Sequence, residues 1–120
     1  MESAKNFIKS AIDENDVVLF MKGTSQMPQC GFSSKVAGIL NYIDVKYLDI
    51  NVLNDDNIRQ EIKDFSEWPT IPQLYVKGEF IGGCDIIVEM TLSGELDTLF
   101  KDKEVEFSET AASKIREENK

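Results

Sequence analysis

The sequence contains no histidine and only two cysteines among its 120 residues. Without histidine, the chain cannot build a Ser-His-Asp triad, a Cys-His dyad, a zinc site with histidine ligands or the iron site of two histidines and one carboxylate. Cys30 and Cys84 are also too few for a zinc site with four cysteine ligands within one chain, or for the disulfide framework of a small secreted domain. This cysteine usage fits a reducing compartment, and we expect a cytoplasmic protein.

Long apolar runs and an excess of basic residues are absent as well. The run Val17–Met21 has only five residues, whereas a helix that spans a membrane needs about 20. Lys and Arg number 13 against 22 Asp and Glu, which gives a net charge of −9 at pH 7. Because an acidic surface repels nucleic-acid phosphates and anionic lipids, we expect no nucleic-acid and no membrane partner. The first residues also lack the features of a signal or transit peptide.

What is present is the composition of a globular domain, with 42% apolar and 29% charged residues. At 120 residues, one domain is the expectation. Hydrophobic periodicity predicts helices and strands in the order α-β-α-β-α-β-β-α-α. The economical arrangement is an α/β fold in which a central four-stranded mixed sheet is flanked by helices on both faces. We assign residues 1–103 to this domain and residues 104–120 to a charged C-terminal tail that is loosely docked or frayed.

Cys30 has the local context of a reactive thiol. It follows a predicted strand and loop and opens a predicted helix, where the helix dipole and unpaired N–H groups favour the thiolate. Lys22, at the end of the preceding strand, can face the same point. The alternative is that Cys30 fills an apolar core, the commoner fate of a lone cysteine, but its small and polar neighbours favour exposure. Ser33 lacks the second thiol of a CxxC pair, so a disulfide cycle through Cys30 must use Cys84 or a small-molecule thiol.

Four short motifs follow one another along the chain: Lys-Gly-Thr at 22–24, Cys-Gly-Phe-Ser at 30–33, Trp-Pro-Thr-Ile-Pro at 68–72 and Gly-Gly-Cys-Asp at 82–85. In this order and spacing they resemble the signature of the monothiol (CGFS-type) glutaredoxins, and the similarity extends from about residue 5 to residue 100. The single-domain length is most like that of bacterial members. The resemblance implies a thioredoxin-like fold, glutathione binding and a 2Fe–2S cluster bridged between the two subunits of a homodimer.

The resemblance also implies which thiolates hold the cluster. A 2Fe–2S cluster takes four ligands, which are usually thiolates. If Cys84 is structural, one chain offers one accessible thiolate, Cys30, so two chains supply two ligands and two glutathione molecules complete the set. Cys30 is therefore both the implied metal ligand and the implied catalytic nucleophile.

For glutathione, the resemblance implies contacts from several parts of the chain. Lys22 and Arg59 correspond to cations that contact the glycyl carboxylate, and the alternative is that they are ordinary surface charges. The backbone of Ile71, before a proline that is cis in this fold, corresponds to a pairing site for an extended peptide. The alternative for this segment is a rigid loop between helix and strand. Phe32 is expected to shield the Cys30 sulfur or the edge of the cluster.

The Gly-Gly-Cys-Asp motif is expected to bind the γ-glutamyl end of glutathione. Gly83 precedes a predicted helix start, where successive N–H groups can form an anion-binding nest. The resemblance assigns the backbone of Cys84 and the carboxylate of Asp85 to this end, although Asp85 can also act as a helix cap alone. Cys84 has two further interpretations, a core position or a disulfide partner of Cys30, and we favour a backbone contact with a shielded thiol. Residues 24–29 resemble the insertion typical of this class.

Three functions are compatible with these features. The first, which we favour, is a carrier that binds a 2Fe–2S cluster with glutathione and transfers it to apo iron–sulfur proteins, in cluster assembly and redox homeostasis. The second is a monothiol oxidoreductase, with weak activity at most, in which Cys30 attacks a glutathionylated substrate and glutathione resolves the product. The third is a regulatory module that uses the cluster as a switch.

Overall fold

A four-stranded mixed sheet forms the centre of the computed structural model, which describes residues 2–120. The strands are β1 (Val17–Met21), β2 (Leu48–Asn51), β3 (Gln73–Val76) and β4 (Glu79–Gly82). Their order across the sheet is β2-β1-β3-β4. The central strand β1 runs parallel to β2 and antiparallel to β3, and β3 pairs antiparallel with β4 as a hairpin. The sheet therefore begins with a βαβ crossover and ends with a hairpin, as predicted.

Helices cover both faces of this sheet. They are α1 (Glu2–Glu14), α2 (Gly31–Tyr42), α3 (Asp56–Ser66), α4 (Cys84–Ser93), α5 (Glu95–Asp102) and α6 (Glu109–Glu118), with a short 3-10 turn at Val52–Asn54. None of the helices within residues 2–120 is long and apolar enough to cross a membrane. The predicted α/β fold, with a four-stranded mixed sheet between two layers of helices, is confirmed.

The central strand β1 is buried on both faces. Side chains along a strand alternate between the two faces of the sheet. Val17, Leu19 and Met21 therefore enter one core with α2, α4, α5 and α6, whereas Val18 and Phe20 enter the other core with α1 and α3. A strand covered on both sides is apolar throughout, which explains the continuous apolar run in the sequence. The end of β1, where the candidate site begins, is thus held from both sides.

The C-terminal segment differs from the expectation of a loosely docked or frayed tail. It forms helix α6, whose Ala112 is buried in the core beside α4. Just before this helix, the ring of Phe107 lies 5.6 Å from that of Phe100, and the N–H of Ser108 donates to the carbonyl of Ile43 at 2.7 Å. The few apolar side chains of this segment fall on one side and extend the core. Because charged residues dominate the segment, the amphipathic pattern is weak in the sequence and did not predict a docked helix.

Candidate functional site

Cys30 stands at the start of α2, where the loop after β1 ends. It is the N-cap residue of the helix, with an extended backbone (φ −152°, ψ 136°). Its carbonyl oxygen accepts the first helical hydrogen bond, from the N–H of Ser34 at 2.8 Å. The thiol is free and partly exposed. Because the first N–H groups of a helix have no helical acceptor and lie at the positive end of its dipole, this position favours an anion.

The pKa of Cys30 lies below the ordinary value of a cysteine thiol. The largest cause is the backbone N–H of Ser33, which donates to the sulfur and stabilises the thiolate, while partial burial of the sulfur opposes this effect. The backbone N–H of Phe32, the ammonium of Lys22 and the side chain of Ser33 lower the pKa further. Cys30 therefore ionises at a lower pH than a free cysteine, which makes it a thiolate nucleophile and a metal ligand under milder conditions.

Lys22 is held in place by hydrogen bonds to three neighbouring segments. Its N–H donates to Oγ of Ser33 on α2 at 3.0 Å. Its carbonyl accepts from the N–H of Gln29, at the end of the loop, at 2.8 Å. The next N–H along the chain, that of Gly23, donates to Oδ1 of Asn51 on β2 at 2.9 Å. The backbone from which the ammonium of Lys22 extends is thus fixed relative to the thiol.

The loop of residues 24–29 is an ordered turn. Thr24 and Met27 exchange two backbone hydrogen bonds of 3.1 Å each. The N–H of Ser25 donates to the carboxylate of Asp49 at 2.8 Å, which anchors the turn on β2. The side chain of Met27 is 69% exposed on the outside of this turn. The insertion is therefore an ordered loop between Lys22 and Cys30 that is anchored to the sheet.

A cleft of about 570 Å³ opens beside the thiol of Cys30. Sites for small molecules have volumes of roughly 300–1,000 Å³, so this cleft has the size expected for such a ligand. The side chain of Phe32 lies at its edge and is 60% exposed. The cleft is lined by Lys22, Cys30, Phe32, Lys63, the segment 68–72 and the segment 83–86.

The segment 68–72 forms one wall of the cleft and is held by a buried glutamine. Gln73 has no exposed surface, and its Nε2 donates to the carbonyls of Trp68 at 3.0 Å and of Thr70 at 3.2 Å. Buried amide groups are almost always hydrogen-bonded, so this pairing ties the wall to the start of β3. The Ile71–Pro72 peptide bond is cis, as the resemblance implied. The sequence analysis did not predict the role of Gln73. The only indication in the sequence was a polar residue at the start of an apolar strand.

The start of α4 forms another wall, and it packs closely against the first. Gly83 is the N-cap of α4. A Cβ atom on Gly83 would lie 3.2 Å from the carbonyl oxygen of Pro72 and 3.2 Å from Nε1 of Trp68. Nε1 of Trp68 is buried and has no hydrogen-bond partner among the residues that the structure describes. The two walls therefore meet at a residue that has no side chain, and any larger residue would push them apart.

Cys84 is the less reactive of the two thiols. It opens α4 and is only 9% exposed. Burial is the largest cause that raises its pKa above the ordinary value, and the charges of Asp85 and Cys30 raise it further, against a lowering by Lys35. The Cys84 thiol thus stays protonated at a pH where Cys30 has ionised.

Seven of the eight residues that the sequence predicted for the site line the cleft: Lys22, Cys30, Phe32, Ile71, Gly83, Cys84 and Asp85. The eighth, Arg59, is not part of the lining among the described residues, and its contact with glutathione stays a prediction. Lys63, one helical turn further along α3, lines the cleft and was missed. Its spacing of four residues from Arg59, which places both on one face of a helix, was the available signal.

The two thiols are expected to react at different pH. Because the pKa of Cys30 is lowered and that of Cys84 is raised, a short pulse of iodoacetamide at neutral pH should modify Cys30 and leave Cys84 intact. Labelling of Cys84 should begin only as the pH becomes alkaline. Mass spectrometry measures both, since trypsin places Cys30 in the peptide 23–35 and Cys84 in the peptide 78–101. Protein unfolded in denaturant is the control, and equal rates in the folded protein would contradict the assignment.

Comparison with known proteins identifies the family. A family model described as glutaredoxin matches residues 17–81. The probable monothiol glutaredoxin 2 of Rickettsia typhi is 56% identical over 97 residues, which cover 81% of this chain and 87% of the relative. A monomeric truncated mutant of 1-C-Grx1 from Trypanosoma brucei has a TM-score of 0.80 at 39% identity, covering 86% of this chain and 94% of that one. Reduced apo GrxS14 from poplar has a TM-score of 0.74 at 45% identity, covering 82% and 91%. The fold is thioredoxin-like, and the chain belongs to the glutaredoxin family, among its monothiol members.

Proposed function

We propose that this protein binds a 2Fe–2S cluster together with glutathione, as a homodimer around the shared cluster, and transfers the cluster to apo iron–sulfur proteins. The observation that carries the proposal is the contrast between the two thiols. Cys30 is partly exposed with a lowered pKa at the edge of a cleft, whereas Cys84 is buried with a raised pKa. Each chain thus offers one thiolate that is ready to bind metal.

The residues of one chain fit half of such a site. Within residues 2–120, no group of three or more His, Cys, Asp or Glu side chains is placed to hold a metal ion. A 2Fe–2S cluster takes four ligands, so one Cys30 thiolate cannot retain it alone. Two chains with two glutathione thiolates supply the four ligands, and this count needs no further cysteine of the protein. This ligand count supports the homodimer in our proposal, which the resemblance to the monothiol glutaredoxins implies.

The cleft has the groups that glutathione requires. Glutathione carries two carboxylates, one amine and an extended peptide backbone. Lys22 and Lys63 place two ammonium groups in the lining for a carboxylate. The start of α4 offers N–H groups without helical acceptors for the other carboxylate, and Asp85 offers an acceptor for the amine. The backbone beside the cis peptide at Ile71 is suited to pair with the extended peptide of the ligand.

Transfer is chemically accessible because half of the proposed ligands are exchangeable. Glutathione is held by non-covalent contacts, so a thiolate of an acceptor protein can take its place on iron. The exposed side chain of Phe32 lines the cleft together with Cys30 and presents apolar surface to an acceptor protein. Apo iron–sulfur proteins are therefore the proposed acceptors. A reducing compartment such as the cytoplasm would keep both cysteines in the free state seen here.

The lowered pKa of Cys30 also favours a second function, a monothiol oxidoreductase. In this reaction the Cys30 thiolate attacks the glutathione sulfur of a mixed disulfide, and the substrate leaves as its thiol. A second glutathione thiolate then attacks the glutathione sulfur of the Cys30 mixed disulfide. Oxidised glutathione leaves and the Cys30 thiolate is regenerated. The shielded thiol of Cys84 is poorly suited to replace glutathione in the second step.

A comparison of transfer and turnover separates these two functions. The cluster-loaded protein is mixed with an apo-ferredoxin under anaerobic conditions, and circular dichroism follows the appearance of the holo-ferredoxin spectrum. Reduction of a glutathione mixed disulfide is measured in parallel on the same preparation. We expect complete transfer and slow disulfide turnover. Fast turnover without transfer would reject the carrier function and support the oxidoreductase.

Replacement of Gly83 by alanine should weaken glutathione binding. The new Cβ would press on Pro72 and Trp68 at 3.2 Å and separate the two walls of the cleft. Overpacking of this kind costs about 1–3 kcal/mol of folding stability. Because the displaced walls also fit the ligand less well, we expect a loss of about 1.4 kcal/mol in binding free energy, which is about ten-fold in the affinity measured by NMR titration. Gly38→Ala is the matched control, because its Cβ would meet nothing within 4 Å and the change removes a glycine from the interior of α2. Equal affinities for the two variants would show that the cleft does not bind glutathione as proposed.

A further inference from the structure

Gln73, at the start of β3, is a polar residue with no exposed surface. A side-chain amide has two donor hydrogens, and Nε2 of Gln73 donates to two carbonyls, those of Trp68 at 3.0 Å and Thr70 at 3.2 Å. Its Oε1 accepts from the O–H of Tyr75 at 3.3 Å. The amide therefore has one favourable orientation, because a reversed amide would place its oxygen against two carbonyl oxygens.

Tyr75, which orients this amide, is itself held by aromatic rings. Residues two apart on a strand share a face of the sheet, which brings Tyr75 beside Gln73. The ring of Tyr75 lies 5.6 Å from that of Phe20 and 5.4 Å from that of Phe80. Burial raises the pKa of Tyr75 to about 12, so its O–H remains a hydrogen-bond donor at neutral pH. The orientation of the Gln73 amide is thus set by a packed part of the core.

The hydrogen bond from Gln73 to Thr70 also fixes the N–H group of Ile71. The carbonyl of Thr70 and the N–H of Ile71 belong to one planar trans peptide unit, so the two groups point in opposite directions. Since the carbonyl is directed to Gln73, the N–H is directed away from it, and Ile71 lines the cleft. Among residues 2–120, this N–H has no hydrogen-bond acceptor. It is therefore left for a ligand.

We infer that Gln73 is a positioning residue for glutathione, because it holds the peptide unit of Thr70 and Ile71 so that the N–H of Ile71 can donate to the backbone of the ligand. The inference rests on the proposed glutathione site and adds to it a buried residue outside the lining of the cleft among the described residues. The second bond, to Trp68, fixes the other end of the same wall. A wall that is already ordered loses little freedom when the ligand binds, which raises the affinity.

The test is a thermodynamic cycle that combines a change in the protein with a change in the ligand. The probe is S-methylglutathione, whose blocked sulfur cannot form a disulfide with Cys30. Its analogue has an (E)-alkene in place of the cysteinyl–glycyl peptide bond and so lacks the carbonyl that would accept from Ile71. Both affinities are measured by NMR titration for the unmodified protein and for Gln73→Met, which keeps the side-chain length but cannot donate. We expect a preference for S-methylglutathione of about ten-fold in the unmodified protein and about two-fold in Gln73→Met.

Thr91→Val is the matched control. It also replaces a buried polar group that donates to a carbonyl, that of Ile87 at 2.6 Å, by an apolar group of similar shape, but within α4. The ten-fold preference should remain in this variant. A purely structural role of Gln73 would lower both affinities and leave their ratio unchanged, so an unchanged ratio in folded Gln73→Met would overturn the inference alone. Failure of the unmodified protein to bind S-methylglutathione would overturn the proposed glutathione site and this inference with it.

A measurement on the unmodified protein keeps the inference testable if Gln73→Met does not fold. A ligand that accepts from the N–H of Ile71 polarises the whole peptide unit and strengthens the carbonyl of Thr70 as an acceptor. The NMR resonances of the Gln73 Nε2 hydrogens should therefore shift during the titration with the same affinity as the N–H of Ile71. Gln73 resonances that stay in place while that of Ile71 moves would contradict the inference. Neither experiment uses iron, so the result is independent of cluster reconstitution.

Discussion

Cys30→Ser should lose cluster binding and rapid alkylation together, while Cys84→Ser should retain most of both. Cys30 provides the partly exposed thiol with a lowered pKa, and a serine hydroxyl at the same place is a poor ligand for iron in a 2Fe–2S cluster. Serine has nearly the same size as cysteine, so the helix start at α2 should survive the change. The measurement is the visible spectrum after anaerobic reconstitution with iron, sulfide and glutathione.

Cys84→Ser is the matched control for this substitution. It makes the same atomic change at the buried thiol of Cys84, which opens α4 and lines the cleft. The backbone contact proposed for glutathione is unaffected by the side chain, so the visible spectrum should remain. A normal spectrum from Cys30→Ser would contradict the assignment of this residue as the cluster ligand. Loss of the spectrum only in Cys84→Ser would move the metal-binding role to the buried thiol.

Gly23→Ala should disrupt the turn that connects Lys22 to Cys30. Gly23 has φ of +91°, and a Cβ there would lie 2.5 Å from two backbone atoms, the nitrogen of Gln29 and the carbonyl oxygen of Met27. Neither atom can rotate away as a side chain would, so the turn must open. We expect a loss of about 2–4 kcal/mol in the free energy of unfolding. The alkylation rate of Cys30 at neutral pH should fall towards that of a free cysteine, because Lys22 and the start of α2 lose their relative positions.

Gly94→Ala is the control that separates the effect of backbone strain from the steric clash expected in Gly23→Ala. Gly94, between α4 and α5, has nearly the same backbone angle, φ of +90°, but a Cβ there would meet nothing within 4 Å. The left-handed conformation alone costs an alanine about 1 kcal/mol, so Gly94→Ala should be less destabilised and should leave the reactivity of Cys30 unchanged. Denaturant unfolding and the alkylation profile measure the two effects. The same loss of stability and the same Cys30 reactivity in both variants would contradict the proposed role of the turn.

Much of the fold follows from local patterns in the sequence. The apolar run of β1 predicts a strand that is covered on both faces. On one face, alternate residues of β1 pack against α2 and α4. Short motifs likewise predict most of the cleft, because each lies at the end of an element where the chain must turn. The docking of α6 was harder to predict from the sequence, because it depends on a few apolar residues such as Ala112 within a strongly charged segment.

The missed parts of the site depend on tertiary contacts. Arg59 and Lys63 share one face of α3, but only the packing of this helix shows that Lys63, and not Arg59, lines the cleft among the described residues. Gln73 acts through two carbonyl groups of the preceding loop. Ser33 is informative in the sequence only as a missing thiol, whereas its bond to Lys22 requires the packing of α2 against the end of β1. The residue types indicate which chemistry is available, and tertiary packing determines which side chains come into contact.

The most direct test of the central claim is anaerobic reconstitution with iron, sulfide and glutathione, followed by visible spectroscopy and gel filtration of the same sample. Omission of glutathione is the matched control, because each chain offers one accessible thiolate and the remaining ligands must come from outside the protein. The account predicts a coloured species of dimer size that is lost when glutathione is removed. A colourless monomer that still reduces a glutathione mixed disulfide would contradict it and establish the protein as an oxidoreductase.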